Sequence, residues 1–104
     1  MTLKKKIEFY RKFATLIDSG ISMEGSLENL LKLKPDKKTG AMITILYNGL
    51  KRGLPLYDTM QKNSEHFTVF ETEIIGMGEK SGNLDQNLLF LAEHFESVNR
   101  FKTK

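Results

Sequence analysis

Gly76-Met77-Gly78-Glu79-Lys80-Ser81-Gly82 is the stretch of this chain that most invites a chemical reading, because glycines around a lysine and a serine are the materials of a phosphate-cradling loop. The spacing does not fit. Such a loop sets its lysine directly after the second glycine, whereas here Glu79 stands between Gly78 and Lys80. The dinucleotide fingerprint needs two residues between its last glycines, and three separate Gly78 from Gly82. His94, in Ala92-Glu93-His94-Phe95-Glu96, has no second histidine four residues away, so the helical zinc pair cannot form, and His66 lies apart in a polar connection. No serine sits beside a histidine or in a nucleophile elbow. The chain therefore reads as non-enzymatic, with no cofactor and no resident metal. Glu79 with Asp85, or with a second subunit, could offer carboxylates to Ca2+, but a lone pair is far short of the roughly six to eight oxygens that ion takes.

Glu79 still requires an explanation. A carboxylate in the last turn of a helix opposes the helix dipole, so a partner is expected: an amide at the start of the next helix, a basic side chain, or a cation. The structural expectation is a clamp holding helix 6 in register. The functional expectation is a partner-contact surface made by Glu24, Glu79, Lys80 and Asn83.

These residues sit at glycine turns that recur: Gly20-Ile21-Ser22-Met23, Gly53-Leu54-Pro55-Leu56 and Gly78 to Leu84. After each, an apolar residue is followed by another four positions on: Met23 and Leu27, Leu56 and Met60, Leu84 and Leu88. Gly20, Gly53, Gly78 and Gly82 are read as structural turn positions, since glycine takes the left-handed conformation that ends a helix.

Helix 1 is predicted over about 3–18, with Phe9, Phe13, Leu16 and Ile17 inward. Helix 2 starts at the Ser22 cap and stops before Lys34-Pro35, its stripe being Leu27, Leu30 and Leu31. A basic linker from Lys32 to Gly40 leads into helix 3 over about 41–52, with Met42, Ile45, Leu46 and Leu50 inward. Helix 4 is short, about 56–63, with Pro55 at its first turn. Helix 5 covers about 69–80, where Gly76 and Gly78 each cost roughly 1 kcal/mol relative to Ala and so mark close backbone contact or a bend. Helix 6 runs from about 83 to beyond 101 along a seam of Leu84, Leu88, Leu91, Phe95 and Val98. The fold class is all-α: a six-helix bundle of three tandem hairpins, one domain over 1–104, each hairpin needing its neighbours to bury its apolar face. Helix 6 is still amphipathic and uncapped at Lys104, so the natural chain is expected to continue and 1–104 to be the N-terminal part of a longer membrane protein.

With 104 residues, 39% apolar, seven Phe and three Tyr, the chain can close one core. It has no cysteine, no secretory leader and no apolar run of bilayer length, which fits a soluble module facing the cytoplasm. Residues 1–52 carry 11 basic and 5 acidic groups, net +6, and residues 53–104 carry 5 and 8, net −3. An up-down order of helices gathers Lys4, Lys5, Lys6, the linker lysines, Arg100, Lys102 and Lys104 at the terminal pole and the glycine turns at the other. Lysines at a helix N-terminus oppose its dipole, so a compensating interaction is expected, and a membrane face with its anionic leaflet would supply one. Nucleic acid is excluded as a partner because the helices after the turns present Glu24, Glu28, Asp58, Asp85 and Glu93, which would face phosphates.

Together these residues closely resemble the F-domain of the type II secretion system, the cytoplasmic module of inner-membrane platform proteins of type II secretion and type IV pilus assembly. The first hairpin matches at Phe9, Arg11, Phe13, Leu16, Gly20, Ile21, Ser22, Met23 and Leu27, and the second at Gly53-Leu54-Pro55-Leu56 and Met60. The third carries the family's Gly-Glu-x-Ser-Gly-x-Leu intact from Gly78 to Leu84, with Leu88, Leu91, Ala92 and Glu96 in phase. Ser26 and Thr59 stand where the family often has Ala, and Thr68 replaces a common proline, which leaves the start of helix 5 open. The basic stretch from Lys32 to Lys38 is particular to this chain, and such drift resembles the toxin-coregulated type IVb pilus branch. The resemblance implies a non-catalytic scaffold between a cytoplasmic assembly ATPase and the pilins, in a membrane-anchored protein that commonly forms homodimers. A soluble helical-repeat adaptor is the alternative.

Overall fold

The computed structural model describes residues 2–102, and these contain six α-helices and no strand. They are α1 (Leu3–Asp18), α2 (Met23–Lys32), α3 (Lys37–Lys51), α4 (Leu56–Gln61), α5 (Val69–Ser81) and α6 (Leu84–Lys102). Lys104 lies outside the described residues.

Capping explains where the helices begin. Thr2 accepts from the Lys5 amide at 3.2 Å and Ser22 from the Gly25 amide at 3.0 Å, so α1 and α2 start where their hydroxyls place them. α3 starts at Lys37, four residues earlier than the apolar pattern indicates. Asp36 is the reason: its carboxylate accepts from the Thr39 amide at 3.4 Å and from the Thr39 hydroxyl at 2.5 Å. The hydroxyl bond holds the Asp36 carboxyl below the usual carboxylate range. The basic linker thus shrinks to 33–36, and Lys37 and Lys38 are helical. Thr68 likewise settles the start of α5, since Thr68 and Glu71 form a reciprocal capping box.

One core joins all six helices, built from Phe9, Phe13, Leu27, Met42, Leu46, Leu56, Met60, Ile75, Leu88, Leu91 and their neighbours. The inward set differs from the apolar pattern in detail. Ile43 rather than Ile45 is buried in α3, Tyr10 joins the buried face of α1, and Val98 is 39% exposed. The hairpins depend on one another for burial. α1 packs most extensively on α6, α5 on α6, α2 on α3 and α4 on α5, whereas α1 with α2 and α3 with α4 touch less. Each helix therefore contacts the next and α6 closes back on α1, so the three tandem hairpins close into a ring.

α1 and α6 run antiparallel: Tyr10 stacks on Phe95 with ring centroids 6.2 Å apart, while Ile17 and Leu84 share a cavity farther along. Lys5 reaches Asp36 at 3.9 Å and Lys6 reaches Glu71. The start of α1, the α2–α3 connection, the start of α5 and the last turns of α6 therefore occupy one end of the ring.

At that end lies a carboxylate that periodicity cannot find. Glu71 is fully buried. Its Oε2 accepts from Lys6 Nζ at 2.6 Å, from the Thr68 amide at 3.1 Å and from the Thr68 hydroxyl at 3.0 Å, and its Oε1 accepts from the Tyr10 hydroxyl at 2.6 Å. Lys6 also lies over the Phe95 ring, 5.3 Å from the centroid. Lys6 is thus an internal ion-pair partner and not part of a membrane-facing surface, and this pair is the compensation for a lysine near a helix N-terminus.

Breaking this cluster is expected to be costly. Glu71→Ala leaves Lys6 and Tyr10 without their acceptor and should lower stability by about 3–5 kcal/mol, whereas Arg11→Ala, which removes the exposed pair to Glu96, should cost under about 1 kcal/mol. Urea denaturation compares the two. Burial, then the Glu71 charge and hydrogen bond, push the Tyr10 phenol well above its ordinary value. Its contribution is therefore complete below about pH 10 and is lost as pH rises from there toward the raised native value, so Tyr10→Phe should show a shallower loss of stability above about pH 10.

Candidate functional site

The three glycine turns repeat one backbone device. Gly20, Gly53 and Gly82 take φ of 90°, 84° and 79°. The residue after each glycine donates back five positions: Ile21 N to Leu16 O at 3.1 Å, Leu54 N to Gly49 O at 3.0 Å and Asn83 N to Gly78 O at 3.0 Å. These are Schellman closures, which satisfy terminal carbonyls and fix the direction of the next segment.

Gly78 is different from the other three. It lies inside α5, where a Cβ would come within 3.1 Å of the Leu84 Cα and of the Asn87 Cβ, so its bare backbone lets the start of α6 approach. Gly76 performs the same service for α4, because a Cβ there would fall 2.5 Å from Cδ1 of Tyr57.

Glu79 follows Gly78 and turns toward α4. Its Oε2 accepts from the Leu56 amide at 2.7 Å and its Oε1 from the Tyr57 amide at 2.9 Å. The N-cap position of α4 is Pro55, which supplies no side-chain cap, so a carboxylate from another helix caps it instead. Glu79 is therefore a clamp on α4 and not on α6. With both oxygens held by amides, it is also poorly placed to lead a Ca2+ site. Among the described residues no three His, Cys, Asp or Glu side chains are gathered in a way that could hold a metal ion.

Between the three turns opens a groove of about 1030 Å3. Ile17, Met23, Leu50, Leu54, Pro55, Tyr57 and Leu84 give it largely apolar walls, with Glu24, Asp58, Glu79, Asp85 and Lys80 supplying charge. Of the expected contact residues, Glu24, Glu79 and Lys80 come together here; Asn83 is exposed beside the groove without lining it. Asp58 also lines the groove, and the sequence carries a signal for it: Glu24, Asp58 and Asp85 each stand in the first turn of the helix that follows a glycine turn. At the opposite end Lys4 and Lys5 are exposed, as is Arg100, and α6 continues to Lys102. No helix among the described residues is long and apolar enough to cross a membrane.

Residues 9–104 match the family model described as type II secretion system (T2SS), protein F. The chain is 26% identical over 111 residues to the type II secretion system protein F of Xanthomonas campestris pv. campestris, covering 100% of this chain and 27% of that protein. It is 30% identical over 88 residues to the type 4 fimbrial assembly protein PilC of Pseudomonas putida, covering 85% of this chain and 22% of the relative. It is 26% identical over 100 residues to the protein transport protein HofC homolog of Escherichia coli K12, covering 96% and 25%. The chain thus spans about a quarter of the length of the curated relatives it matches.

Two substitutions separate the devices of this pole. Gly82→Val forces a β-branched residue into the left-handed region and should cost about 1–2 kcal/mol or more. Glu79→Ala uncaps α4 and should cost about 1–2 kcal/mol, with hydrogen exchange accelerated at the Leu56 and Tyr57 amides. Chemical denaturation and amide exchange check both; unchanged exchange at those two amides would remove Glu79 from the capping role.

Proposed function

The chain belongs to the type II secretion system protein F family, the platform proteins of secretion and type IV pilus assembly, and from this we propose that it is the cytoplasmic, N-terminal module of an inner-membrane platform protein. The module is a non-catalytic scaffold. It links a cytoplasmic assembly ATPase to the pilins and other membrane components, in a full-length protein that is membrane-anchored and dimeric.

The observation that carries this reading is the polarity of the ring. One end gathers three rigid glycine turns around a groove; the other gathers the start of α1, the last turns of α6 and the exposed Lys4, Lys5 and Arg100. A scaffold needs two distinct ends, and a basic end suits the anionic leaflet, where each cation near the surface contributes on the order of 1 kcal/mol. Lys6 is excluded from that role by its pair with Glu71.

Membrane fractionation of the untruncated gene product, with protease added from the cytoplasmic side, tests the reading. An integral protein that loses this module to protease from that side is the expected result. A product that stays in the soluble fraction would instead favour the free-standing helical adaptor.

A further inference from the structure

We propose that the groove at the glycine-turn pole receives a basic amphipathic segment of a partner protein, with apolar side chains on the groove floor and Lys or Arg on its rim; this deepens the scaffold reading by giving its partner-facing end a chemistry. Three observations carry it. The floor is apolar and open, formed by side chains such as Met23, Leu50, Leu54 and Tyr57. The charge is one-sided, with four carboxylates against Lys80 among the described lining residues. The four are not equivalent: Glu79 is spent on the α4 amides, while Glu24, Asp58 and Asp85 make no side-chain hydrogen bond or ion pair among the described residues.

Those three carboxylates come from three different helices, one after each turn, so the ring closure alone brings them around one opening. Their backbones are pinned by the Schellman closures, which keeps the ordering penalty of binding low. Apolar anchors on a helix or strand, flanked by cations, match this layout. A nucleic acid does not, since its phosphates would meet the carboxylates. Electrostatic complementarity of this kind sets which segment is accepted and makes binding salt-sensitive.

The test uses the isotopically labelled chain and two synthetic probes, an amphipathic Leu-Lys peptide and its Leu-Glu counterpart, followed by amide cross-peaks. The Leu-Lys peptide should shift the Gly53, Leu54, Tyr57 and Gly82 amides and weaken with added salt, and the Leu-Glu peptide should not bind. The triple variant Glu24→Gln, Asp58→Asn, Asp85→Asn should bind the Leu-Lys peptide about tenfold more weakly, the order expected of three partly exposed charge pairs. Lys80→Glu, an exposed change of opposite sign, should bind it more tightly, which keeps the test decisive if the triple variant folds poorly. Equal binding by the variants and the parent overturns the proposal, as do shifts confined to the face made by the exposed Phe70 and Phe90 beside the half-buried His94. Groove amides that shift on dilution alone would overturn it too, by assigning the groove to a second copy of the chain. None of these outcomes bears on whether the full-length product is integral to the membrane, so failure here and failure of the platform reading are told apart.

Discussion

A buried carboxylate needs hydrogen-bond donors to replace water, and the placement of Glu71 imposes that condition on α1 and on the start of α5. Its donors come from α1, through Lys6 and Tyr10, and from the first turn of its own helix, through Thr68. Tyr10 in turn stacks on Phe95 of α6, and Lys6 lies over the same ring. One charged group therefore fixes α1 against α5 and α6, which is where the ring of helices closes. A shift of α1 by one turn would strand the carboxylate, so the cluster selects a single register in a way that apolar packing alone does not.

The opposite end is ordered by backbone rather than by charge. Three Schellman turns return the chain with the same five-residue hydrogen bond, and Gly76 and Gly78 remove the Cβ atoms that would hold α4 and α6 away from α5. Glu79 adds two side-chain bonds that pin the start of α4, the shortest helix, which lacks a cap of its own. The family motif from Gly78 to Leu84 is thereby accounted for physically: a glycine for close approach, a carboxylate for a neighbouring helix, a left-handed glycine for the turn and a leucine for the core. It resembles a phosphate loop only in composition.

A type II secretion system protein F and a type 4 fimbrial assembly protein both appear among the relatives. In this chain the ring carries an open groove at one end and exposed cations at the other. The charge around the groove and the short stretch 33–36 both lie outside the core.

Helix existence, the turn glycines and most of the core were legible in the sequence because periodicity, glycine at a helix end and capping residues act over four or five positions. The start of α3 departs from the apolar pattern for a related reason: the pattern begins at Ala41, but the Asp36 cap is the stronger local signal. Thr68-Val69-Phe70-Glu71 likewise spells a capping box, yet nothing local says that its glutamate will also be buried against α1. The tertiary structure alone decided that Lys6 turns inward, that Glu79 caps α4 instead of steadying α6, and that Glu24, Asp58 and Asp85 rim one groove. Each of those facts joins residues more than twenty positions apart, and such partners are set by which helix faces meet when the ring closes, a property of packing that no short window of sequence contains.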